Sequence, residues 1–202
     1  IESAFLFLPQ GAIIMSSSPE HIFLESPYLR RITGLAESQL SSIDQYLQTL
    51  LQQDADILNK THFFHDRYEN IYLENCNNSD LNDLMSESLG FCAELLEVNK
   101  DELDIGYWFN LMAPGHVTTL HTHDNLNELI SGVVYLTVPD DSGDLVLQTG
   151  DQEISLTPVT GNYIFFNPET PHLVTKNNSP THRLSIGMNI GLKKDRIDWK
   201  RV

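Results

Sequence analysis

Residues 105–123 read IGYWFNLMAPGHVTTLHTH, and how aromatic and β-branched residues are broken by turn residues in this run decides the fold. Residues 105–112 and 117–121 predict two short strands, because such side chains fit a pleated, half-buried surface and Pro114-Gly115 interrupts them with a turn. The same pattern continues downstream over residues 131–138, 144–148, 153–156, 162–166, 172–175 and 182–190. Asp140-Asp141-Ser142-Gly143, Thr149-Gly150, Gly161 and Asn177-Asn178 separate these segments. Short strands at such even spacing predict a closed or sandwiched antiparallel β domain.

Upstream the period changes. Ala36, Leu40, Ile43, Leu47, Leu50 and Leu51 recur at spacings of three and four, which predicts an amphipathic helix packed on the sheet. A second helix begins after Asn78 and Ser79, both good N-cap residues, and carries Leu81, Leu84, Met85, Leu89, Cys92, Leu95 and Leu96 to an end near Asn99, with Gly90 a weak point. Residues 61–75 are rich in aromatics, His and Asp without clear periodicity, and read as a loop or short strands.

A chain of 202 residues with 41% apolar composition has enough material for one buried core and too little for two independent domains. One domain is expected, with a helical support region at 1–104, a β core at 105–191 and a tail at 192–202. A formal charge of -16 repels polyanions and disfavours nucleic acid or an anionic membrane as partner. Cys76 and Cys92 form no metal-ligand spacing and no disulfide framework, which fits a reducing, cytoplasmic setting. The partly apolar residues 1–15 lack a basic leader region, carry Pro9 and Gly11, and are too short to span a bilayer. Exposed strand edges leave homo-oligomerisation open.

Residues i and i+2 of a strand share a face, so His121 and His123 would project side by side, about 6–7 Å apart along the backbone. Two imidazoles so placed suit a first-row metal, and a three-ligand facial set with open positions suits oxygen-activating iron. His172, in a short strand after Phe165-Phe166-Asn167-Pro168, is the expected third ligand. His116 and His182 read as solvated or supporting residues, and His62, His65 and Asp66 as substrate-side or structural.

Several stretches, in this order, resemble the iron(II)/2-oxoglutarate oxygenases of the prolyl-hydroxylase-like superfamily. They are Trp108-Phe109-Asn110, His121-Thr122-His123, Ser131-Gly132-Val133-Val134-Tyr135-Leu136, the run from Gly161 to Pro168, Pro171-His172-Leu173-Val174 and Arg183-Leu184-Ser185-Ile186. The match covers a little under half of the chain. The resemblance implies a double-stranded β-helix, or jelly roll, mainly β with flanking helices, holding Fe(II) and 2-oxoglutarate and using dioxygen on an unidentified substrate. It implies that Arg183 pairs with the distal carboxylate of 2-oxoglutarate, assisted by Ser185 and Tyr135, with Asn110 and Trp108 at the other end of the pocket.

One departure stands out. The superfamily's carboxylate position is occupied by His123, so the ligand set is either three histidines or includes Asp124 or Glu128. With Glu128, the run from Gly115 approximates a cupin motif, which has the same architecture. A cupin-type metalloprotein without 2-oxoglutarate and a non-catalytic jelly-roll binding module therefore remain as alternatives.

Overall fold

The computed structural model describes residues 26–64, 67–123 and 127–193. The opening apolar stretch, His65, Asp66, Asp124 and the tail beyond residue 193 lie outside the described residues.

Two helices form where the apolar stripes predict them. α1 (Glu37–Gln52) buries Leu40, Ile43, Leu47 and Leu50, and α2 (Ser79–Leu96) buries Leu81, Leu84, Met85, Cys92 and Leu96. Asn78 caps α2 by accepting the Leu81 N–H at 2.8 Å, and Glu97 ends it with a left-handed backbone, φ 53°. Strands follow as β4 (Leu103–Met112), β5 (Thr118–His121), β6 (Ile130–Thr137), β7 (Leu145–Thr149), β8 (Gln152–Leu156), β9 (Asn162–Phe166), β10 (His172–Val174) and β11 (Arg183–Leu192). Each lies within two residues of its expected bounds.

The first half departs from a purely helical support region. β1 (Leu29–Ile32) adds an edge strand, and β2 (Leu58–Phe64) with β3 (Arg67–Leu73) makes a hairpin of the aperiodic stretch. β1 reads LRRI, two adjacent arginines that mask its alternation. In β2, Thr61 pairs with Asn70 and Phe63 with Tyr68, while His62 between them adopts φ 57°. The register runs unbroken past it, so His62 is a local backbone irregularity in an otherwise regular pair.

A seven-stranded sheet runs β1-β9-β6-β11-β4-β3-β2, and a four-stranded sheet runs β5-β10-β7-β8, with antiparallel pairing throughout. This is the expected jelly roll, mainly β with two flanking helices. Alternation sorts the large sheet into two faces. Leu184, Ile186, Met188 and Ile190 of β11 join Val134 and Leu136 of β6 and Phe109 of β4 in the core beneath the helices. The intervening residues, Arg183, Ser185 and Gly187, together with Val133, Tyr135, Trp108 and Asn110, line a cavity with residues of the small sheet. A second apolar cluster between the sheets, including Leu145, Leu147, Ile164 and Phe166, closes around that cavity. Among the described residues no helix is long and apolar enough to cross a membrane.

Candidate metal centre

β5 and β10 lie side by side with His121 directly opposite His172, so the two strands bring two imidazoles together by register alone. His123 follows β5 and is held back toward β10 by its N–H, which donates to the Pro168 carbonyl at 2.9 Å. The nitrogen donors of His121, His123 and His172 lie within 4.8 Å of one another. Their ring centroids stand 4.2–5.0 Å apart. The expected trio is thus assembled, and Glu128 falls outside it. Asp124 lies outside the described residues.

Hydrogen bonding sets the tautomers of two rings. His121 Nδ1 faces the Thr119 carbonyl at 2.8 Å, and His172 Nδ1 faces the Thr170 carbonyl at 2.9 Å. A carbonyl only accepts, so each Nδ1 carries the proton and each neutral ring presents an unprotonated Nε2. Burial holds His123 far below the usual imidazole range, at about 2, with the neighbouring charges of His172, His121 and His62 acting in the same direction. His172 is lowered to about 4, first by burial and then by His121, against the opposing Thr170 hydrogen bond. Both are therefore neutral near pH 7, the state a metal requires.

Facing the trio from the large sheet, Arg183 is 1% exposed. Its Nη1 donates to the Gly143 carbonyl at 2.7 Å, and its guanidinium carbon lies 5.0 Å from the centre of the Tyr135 ring. Burial lowers its pKa, while Tyr135 and Asp144 oppose that shift. Among the described residues no carboxylate lies within ion-pair distance of Arg183, and neither its Nε nor the buried Tyr135 hydroxyl has a hydrogen-bond partner. Unsatisfied buried donors beside a charged guanidinium favour an anion with several acceptor oxygens. Ser185 stands in register with both Tyr135 and Asn110, so these residues form one row across β6, β11 and β4 on the cavity wall.

At the opposite end Trp108 lies 5.3 Å from His123, ring to ring, and 6.2 Å from Tyr72. His62 Nδ1 is 2.8 Å from Thr61 Oγ1 and 3.3 Å from Asn70 Nδ2. His116 and His182 both find structural partners. His116 Nδ1 accepts the Ala113 N–H at 3.0 Å within the Pro-Gly turn, and His182 Nε2 meets Asp44 on α1 at 3.1 Å. Sequence reading missed Arg67, which lies 7% exposed behind Asn110 and Thr118. An isolated Arg in an aperiodic stretch carries no signal of burial.

A double-stranded β-helix whose small sheet gathers three imidazoles and whose large sheet sets a buried arginine opposite them defines the class of architecture. Solved structures of known proteins share the fold. A prolyl-4-hydroxylase from Pseudomonas putida superposes with a TM-score of 0.66 at 18% identity, over 82% of this chain and 92% of that one. A prolyl hydroxylase from Trichoplax adhaerens, in complex with a hypoxia inducible factor oxygen degradation domain peptide fragment, gives 0.63 at 13% identity over 85% and 86%. The epimerase SnoN, in complex with Fe3+, alpha ketoglutarate and nogalamycin RO, gives 0.64 at 13% identity over 87% and 85%. At such identities the likeness is one of fold. No protein-family model matches the chain, and no curated protein matches its sequence.

Proposed function

We propose that the chain is an iron(II)- and 2-oxoglutarate-dependent dioxygenase that hydroxylates a substrate entering beside Trp108 and His123. The observation that carries this reading is the union, in one cavity, of a three-imidazole cluster with a buried Arg183 and Tyr135 whose Nε and hydroxyl lack partners. Neighbours of the same fold include a structure that holds iron and alpha ketoglutarate, which supports the reading.

His121, His123 and His172 would hold the iron, the first and third through Nε2. Arg183, Tyr135 and Ser185 would hold the distal carboxylate of 2-oxoglutarate, with Asn110 in the next register position. When bound, iron and 2-oxoglutarate draw one oxygen atom from dioxygen for a substrate C–H bond and release succinate and carbon dioxide. The apolar walls Val133, Leu145, Phe166 and Val174 exclude water and so strengthen the charge interactions of Arg183. Trp108 would offer the substrate an aromatic face on the cavity wall, with Tyr72 packed beside it at a tilt of 44°.

Anaerobic titration of the iron(II)-loaded protein with 2-oxoglutarate tests the reading. A visible charge-transfer band should appear and saturate. Arg183→Ala should keep stoichiometric iron and lose the band, because the distal carboxylate then lacks its charged partner, whereas His172→Ala should lose the iron itself. Iron retained by the wild type without any band would reject 2-oxoglutarate and leave a metal site of cupin type.

A further inference from the structure

β5 carries His121 yet is the edge of the small sheet, with β10 as its sole strand neighbour among the described residues. An edge strand with a register irregularity between His172 and Val174 is poorly suited to holding a ligand still. Something must brace its free side. Arg67, at the first position of β3, crosses from the large sheet to do so. Its Nη2 donates to the Val117 carbonyl at 2.8 Å and to Thr118 Oγ1 at 3.1 Å, and its Nη1 reaches Asn110 Oδ1 on β4 at 3.4 Å. Glu69 pairs with the same Nη2 at 3.2 Å. Asn110 and Thr118 both line the cavity, and Asn110 Nδ2 is 3.4 Å from Thr118 Oγ1, so one guanidinium fixes a continuous section of its wall.

We propose that Arg67 is a positioning residue of this site, its forked guanidinium bracing the strand that carries His121 and setting Asn110 and Thr118 on the cavity wall. The bracing stands on the hydrogen bonds alone, whereas its bearing on a metal rests on the dioxygenase reading. The fork is the essential feature. A lysine ammonium is a single point of charge and cannot meet β4 and β5 at once. Arg67 touches neither the imidazoles nor the space between them, so it acts through the residues it holds.

Cobalt(II) alone, titrated anaerobically into apo protein, is the probe, read by affinity and by the visible ligand-field spectrum. Loss of groups that orient metal ligands typically costs about 10-fold or more in affinity. Arg67→Met and Arg67→Lys should each bind cobalt about tenfold more weakly, with an altered spectrum. Ser88→Ala serves as the stability control. It removes a buried hydroxyl that bonds Leu84 and Tyr163 beneath α2, and should lower the melting temperature while leaving cobalt affinity and spectrum intact. Should Arg67→Met fail to fold, Thr118→Val breaks the same link from the β5 side and should weaken cobalt in the same direction. Wild-type affinity and spectrum in the folded Arg67 variants would overturn the assignment while sparing the metal reading. A wild type that takes up no cobalt would overturn both.

Discussion

Gly143 has φ 91°, and a Cβ placed on it would lie 2.3 Å from the Thr175 carbonyl oxygen. Its own carbonyl accepts the Nη1 proton of Arg183, so the turn that only glycine can make is also the anchor of the buried cation. Gly143→Ala should therefore cost about 1–3 kcal/mol of stability from backbone strain. It should also weaken 2-oxoglutarate binding while iron binding holds, a pair of effects that urea denaturation and the anaerobic titration would separate. Gly187 acts at the other end, where a Cβ would stand 2.6 Å from the Trp108 indole. In sequence, Gly143 reads only as turn punctuation. Its link to Arg183 spans 40 residues and becomes visible only once the sandwich closes.

At the scale of elements, α2 begins on a single well-made cap. Asn78→Ala leaves the Leu81 N–H without its acceptor and should cost about 1 kcal/mol, or roughly 2–4 °C in Tm for a chain of this size. Thermal melts followed by circular dichroism would check it. Both helices and β4 through β11 were legible because their periods are regular and their ends carry turn or cap residues. His121 and His172 were legible for a related reason, since each sits in a recognisable strand, whereas His123 lies past the end of β5 and is placed by its bond to Pro168 rather than by strand alternation. Opaque in sequence was β1, whose paired arginines hide its alternation, while for the β2–β3 hairpin the composition left a loop and short strands both open, and the structure has the strands. Arg67 opens β3, and its burial depends on residues that follow it by more than forty positions.

For the whole molecule, β11 is the spine. It is paired along its length with β4 and over most of it with β6, while among the described residues β5 and β8 end the small sheet with one neighbour each. Hydrogen exchange should be slowest in β11 and faster in the edge strands β1, β2, β5 and β8, because protection follows burial and pairing on both sides. Iron should slow exchange in β5 and β10 and leave β8 unchanged, which mass spectrometry of peptic fragments would resolve. Total charge gives a misleading picture of the interior. A chain of net -16 conceals Arg67 and Arg183 close enough that the charge of one lowers the pKa of the other. The two Nδ1 contacts each reach back two residues, from His121 to Thr119 within β5 and from His172 to Thr170 in the turn before β10. Each ring is thus tied to its own backbone and has little rotational freedom left to surrender when an ion arrives. On the proposed iron reading, capture would then be entropically cheap, and an ion that needs its donors spread around a square would have to pull β5 away from β10 to obtain them.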